Sequence, residues 1–116
     1  MENQKMEEIR AYIRSDAVDK KINLEKQDKH IKESAGYIAG RSYLLPGVDA
    51  QELVDMYHGT GHIAASKGIW KNKEIVLANF DIGVEIDMNT MEETITNRFT
   101  IHYSKTGTHV VPSKRR

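Results

Sequence analysis

The stretch whose reading decides the fold is Thr94–Pro112, TITNRFTIHYSKTGTHVVP. It alternates, turns and alternates again. Side chains in a strand alternate faces with period two. Ile95, Phe99, Ile101 and Tyr103 therefore share one face, and Thr96, Arg98, Thr100 and His102 the other. Thr106-Gly107 marks the turn, because glycine supplies the positive φ that tight hairpins need. A two-residue loop at Thr106-Gly107 sets Ser104 opposite His109, and a four-residue loop sets His102 opposite His109. The two registers differ by two, so both put His102, Ser104 and His109 on one face. Only an odd-length loop or a bulge separates them. One face of the hairpin is apolar, and the other carries Arg98, Thr100, His102, Ser104 and His109.

Outside the hairpin the chain sets bounds. Its 116 residues suit one domain, which at this size buries roughly two thirds of its unfolded surface. It has no cysteine, which removes disulfides, thiolate catalysis and Cys-based metal sites. The net charge is zero but unevenly spread. Asp81–Glu93 holds five acids and no Lys or Arg, and Thr94–Arg116 holds five bases and no acid. A neutral total can thus hide a basic face. No apolar run approaches the roughly 20 residues of a membrane span, and MENQKMEEIR lacks the apolar centre of a secretory signal.

Residues 2–20 read as a helix with a sparse apolar stripe of Met6, Ile9, Tyr12 or Ile13, and Ala17. So thin a stripe predicts weak packing. Lys26, Lys29 and His30 share one side if KQDKH is helical, and a nearby lysine holds the imidazole neutral. Gly40-Arg41-Ser42 puts a guanidinium and a hydroxyl on a flexible loop, a pairing suited to phosphate. The clearest helix is 49–58, with Asp49 as N-cap, Glu52 three residues on, a stripe of Ala50, Leu53, Val54 and Tyr57, and Gly59 as its stop. HGTGH (58–62) reads as a helix-ending turn rather than a zinc or phosphate site. Strands are expected at His62–Ala65, at Ile69–Phe80 with a break near Lys71-Asn72, and at Ile82–Met88. Lys73 and Glu74 read as exposed charges, with Glu74 also within reach of the polar sheet face. Helices first and an antiparallel meander after them make an α+β plan.

The segments KQDKHI (26–31), GRSYL (40–44), AQELVDMYHGTG (50–61), NKEIV (72–76) and TNRFTIHYSKTGTHVVPSKR (96–115), in this order, resemble the bacterial polymorphic toxin type 50 domain. That domain occurs in polymorphic toxins and phage minor capsid proteins. The resemblance covers residues 20–116, with 1–19 left as a helical leader or carrier remnant. It places the chain in the barnase–EndoU–colicin–RelE superfamily. It implies N-terminal helices packed on one face of a four-stranded antiparallel sheet. It further implies an endoribonuclease that uses neither metal nor cofactor and acts on RNA, tRNA among the candidates, in the bacterial cytoplasm. Delivery would be by secretion or phage, with a cognate immunity protein as partner and no membrane contact.

Such a reaction needs a base for the 2′-OH, a cation for the phosphorane and an acid for the 5′-oxygen. The candidates are His30, His102 and His109 for proton transfer, with Lys26 beside them. Arg41, Ser42, Arg98, Ser104, Lys105 and Thr108 are candidates for holding substrate, although parity puts Thr108 on the apolar face unless the strand is bulged. A non-catalytic nucleic-acid-binding module and a phage structural accessory segment are the alternatives.

Overall fold

The computed structural model describes residues 2–114, so the basic pair Arg115-Arg116 lies outside the described residues. The helices are α1 (Glu2–Arg14), α2 (Leu24–Asp28) and α3 (Ala50–Tyr57). The strands are β1 (Tyr43–Leu44), β2 (His62–Ser66), β3 (Ile69–Leu77), β4 (Gly83–Ile86), β5 (Glu93–Thr96), β6 (Arg98–His102) and β7 (His109–Ser113). The fold is α+β. Strands β2-β3-β6-β7 form an antiparallel four-stranded sheet, as expected, and β1-β4-β5 form a second sheet of three strands that the sequence reading did not anticipate.

Alternation dictates which face of the larger sheet is buried. Ile63, Val76, Phe99, Ile101 and Val110 all point inward, where they meet Ile9 and Ile13 of α1 and Leu53 and Val54 of α3. Each such side chain contributes roughly 1.5–3 kcal/mol through burial. Helix α3 starts where Asp49 accepts a hydrogen bond from Gln51 N at 2.9 Å, and the chain leaves it through Gly59 at φ +78°.

Three expectations are corrected. Helix α1 does not pack weakly, since Ile13 is fully buried and Arg10 and Arg14 donate to the carbonyls of Gly61 and Gly59. The stretch from Thr94 to Tyr103 is not one strand. It breaks at Asn97, whose side chain donates to Ala78 O at 2.7 Å, so β5 and β6 join different sheets and parity changes between them. Thr96 is therefore buried and Ile95 is 62% exposed, against the alternation expected for both. Glu74 is not an exposed charge or a polar-face residue, because it is 0% exposed on the core side.

The hairpin closes with His102 directly opposite His109, the even register. Its connection, 103–108, turns at Gly107, where φ is +109° and an added Cβ would lie 2.9 Å from the Asn23 side chain. Strand β7 is an edge of the larger sheet, and the chain before and within α2 covers it. Thr108 N donates to Lys21 O, and Asn23 N to Thr108 O. The Gln27 side chain then donates to Val110 O at 2.9 Å and accepts from Val110 N at 2.7 Å, as a neighbouring strand would. This seam sets the end of α2 beside the hairpin's polar face.

Candidate active site

Three histidine rings form one stack. His102 and His109, facing each other across β6 and β7, have centroids 4.7 Å apart and planes 17° apart. His30, just past α2, also stacks with His109, at 5.9 Å and 12°. The backbone fixes His30 at both ends, since its N–H donates to Gln27 O and its carbonyl accepts from Leu44 N. Its Nδ1 is 2.8 Å from Ser42 O. A carbonyl only accepts, so Nδ1 carries the hydrogen and the lone pair is on Nε2. His109 Nδ1 is buried with no hydrogen-bond partner among the described residues.

Burial and surrounding cations favour the neutral rings. His102 is pushed down to about 4 by burial first, then by Lys73 and His30. His109 is pushed down to about 4 by burial, then by His102, His30, Lys26 and Lys29. Burial lowers His30 as well; the Ser42 carbonyl opposes it, and Arg41 and Lys29 reinforce it. Three neutral bases thus stand among nearby cations, with Lys29 and Arg41 acting on His30, Lys73 on His102, and Lys26 and Lys29 on His109. Lys26 Nζ donates to Ser104 Oγ at 3.2 Å and Thr106 Oγ1 at 2.8 Å, which ties α2 to the hairpin loop. No group of three or more His, Asp or Glu side chains among the described residues is arranged to hold a metal ion.

Of the residues singled out in the sequence, His30, His102, His109, Lys26, Ser104 and Arg41 come together. Ser42 contributes its carbonyl, while its hydroxyl turns to the second sheet and accepts from Ile86 N at 3.0 Å. Arg98 is at the far end of β6, roughly 13 Å from His102 at the usual strand rise. There it donates to Lys114 O and lines a separate cavity with His62 and Leu77. Lys105 is exposed on the rim of a groove beside the loop. Thr108 is fully buried, and its hydroxyl donates to Asp19 O at 2.7 Å. It ties the hairpin to the N-terminal segment and does not face the histidines, because no bulge reverses its parity.

Lys73 and Thr106 were missed. Lys73 pairs with His102 across β3 and β6, a neighbour that only the β3–β6 register reveals. HGTGH is a turn with a purpose, since Gly59 N and Gly61 N donate to the two oxygens of Glu74 at 3.0 and 2.6 Å. A Cβ on Gly61 would fall 2.4 Å from Ile75 O. Tyr103 OH donates to the same carboxylate at 2.7 Å. Burial, with that carboxylate, pushes the phenol up and keeps it a donor.

Among the described residues, no helix is long and apolar enough to cross a membrane. No curated protein matches the chain. Residues 22–112 match the family model described as bacterial toxin 50. That span runs from the strand-like seam beside α2 to the end of the sheet and holds the whole histidine stack. The chain therefore belongs to the bacterial toxin 50 family.

Proposed function

We propose that the chain is an endoribonuclease toxin that cleaves RNA through its own 2′-OH, leaving a 2′,3′-cyclic phosphate and a 5′-hydroxyl. One observation carries this reading, namely the stack of His30, His109 and His102, with Lys26, Lys29, Arg41 and Lys73 near enough to act on its charge. A neutral ring accepts the 2′-OH proton. The cations hold the phosphate and offset the charge of the phosphorane. Protonation of the 5′-oxygen needs an acid, and the bound phosphate provides for it. A negative charge about 4 Å from a ring favours imidazolium by about 4 kcal/mol at an effective dielectric of about 20. That is enough to raise a ring that titrates near 4 back up towards pH 7. With substrate bound, one ring thus takes up a proton from solvent and serves as the acid, while another stays a base.

The target is cellular RNA, tRNA included, and the place of action is the bacterial cytoplasm. An inhibitory partner that covers the site would present acids to the same four cations.

The test is RNA cleavage by the purified chain in excess EDTA, beside His30→Gln and His102→Gln. Cleavage should survive EDTA, and each substitution should lower it about 10²- to 10⁴-fold. Loss of cleavage in EDTA rejects metal-free chemistry. Full activity in both variants rejects the stack as the site. RNA binding without cleavage favours a non-catalytic module.

A further inference from the structure

The open face of the larger sheet runs on past the histidines. By alternation His102 shares that face with Thr100 and Arg98 of β6. Their partners on β3 are Lys73, Ile75 and Leu77, and His62 of β2 pairs with Ile75. At the far end Thr60, Gly61, His62, Ile75, Leu77 and Arg98 line a groove of about 550 Å³. We propose that this groove is a distal RNA subsite, in which Arg98 holds a phosphate beyond the scissile one and His62 and Leu77 take up the adjoining base. The proposal rests on the nuclease reading above and adds the course of the substrate strand away from the histidine stack.

Register puts groove and stack on one surface. The core side of these strands is taken by Ile63, Glu74, Val76, Phe99, Ile101 and Val110, all buried. Arg98, Thr100 and His102 alternate with Phe99 and Ile101, so they face away from the core. Lys73, Ile75 and Leu77 alternate with Glu74 and Val76 in the same sense. His102 and Arg98 are roughly 13 Å apart at the usual strand rise, too far for one phosphate to touch both. An RNA strand lying along β6 therefore presents separate phosphates to the two.

This face suits a polyanion. Glu74 is the only acid in the four strands, and it is buried on the core side. The open side carries Lys73 and Arg98 with no acid between them. One guanidinium N–H of Arg98 donates to Lys114 O at 2.7 Å, which steadies the group and leaves its other donors for a ligand. Among the described residues no carboxylate pairs with Arg98. The planar fork of an arginine matches the oxygens of a phosphate.

The walls of the groove suit a base. Leu77 is 57% exposed and offers an apolar surface, and His62 offers an exposed aromatic ring. Unpaired RNA bases stack on aromatic side chains, histidine among them. The backbone wall is fixed from beneath, since Gly61 N donates to Glu74 and Gly61 O accepts from Arg10.

A dye-labelled 2′-O-methyl RNA hexamer, which resists cleavage, is titrated by anisotropy into the full chain, Arg98→Gln and His62→Ala at several salt concentrations. Glutamine can still donate to Lys114 O, and His62 is exposed. Thermal melts verify that both variants fold. Arg98→Gln should bind about tenfold more weakly and take about 0.7 off the slope of log K against log salt, the share of one phosphate contact on a single strand. His62→Ala should bind about fivefold more weakly at the parent's slope. On cleavable RNA, Arg98→Gln should lower kcat/KM about tenfold for a hexamer and less than twofold for a dinucleotide, whose single phosphate is the scissile one. An unchanged salt slope in Arg98→Gln, or equal losses on hexamer and dinucleotide, overturns the subsite and leaves the nuclease reading standing. No cleavage of RNA by the parent chain overturns both.

Discussion

Glu74 is a single buried side chain that organises the turn after α3. Its two oxygens accept from Gly59 N, Gly61 N and Tyr103 OH. The carbonyls of the same two glycines accept from Arg14 and Arg10. One carboxylate thus ties the turn to Tyr103, which lies between His102 and Ser104. Removing it strands three donors, each at roughly 1–3 kcal/mol. Glu74→Ala should therefore cost at least about 3 kcal/mol, a large share of the ~5–15 kcal/mol typical of a domain. Tyr103→Phe removes one donor and should cost about 1–2 kcal/mol. Urea denaturation of both variants checks the ordering, and equal costs would show that the glycine N–H bonds contribute little. The inward direction of Glu74 was legible in one respect, because it shares parity with the buried Val76. Composition hid it, since glutamate is rarely buried without a partner, and its partners are backbone groups that no sequence pattern marks.

At the scale of elements, the site depends on two devices of unequal legibility. The hairpin was readable, because alternation fixes faces and an even register keeps His102 and His109 together whichever even loop forms. The seam between α2 and β7 was not. Gln27 in KQDKH looks like a solvated residue, yet it stands in for a strand by pairing both of its amide atoms with Val110. The break at Asn97 was equally hidden, since its cause is Ala78, far away in sequence. Lys26 and His30 flank Gln27 on the same short segment, so loosening this seam loosens the site. Gln27→Ala leaves Val110 N–H and C=O without partners and should cost about 2–3 kcal/mol. Amide exchange at Val110 should accelerate in this variant, and catalytic activity should fall with it. Unchanged exchange at Val110 would show that the edge is protected by other groups.

At the scale of the whole molecule, the site opposes protonation, and stability should record this. His102 and His109 are lowered to about 4 in the fold and titrate near 6.5 when the chain unfolds. His30 is lowered in the same direction. Between these limits the unfolded chain binds more protons than the folded one, so stability rises with pH. It is fully present above about pH 6.5 and declines as the pH falls towards 4. At pH 5 the loss should be on the order of 1 kcal/mol for each of His102 and His109, after discounting for their partial exposure. Asp87, held below the usual carboxylate range by the N–H groups of Asn89 and Thr90, titrates beneath this window and does not imitate the effect. Urea midpoints from pH 7.5 to 4.5 measure the slope, which should flatten in His102→Gln. A bound polyanion reverses the cause, because its charge stabilises imidazolium in the fold. A 2′-O-methyl RNA hexamer, which has no free 2′-OH to be cleaved, should therefore raise the midpoint more at pH 5 than at pH 7. Equal gains at both pH values would mean that the nucleic acid binds away from the histidine stack.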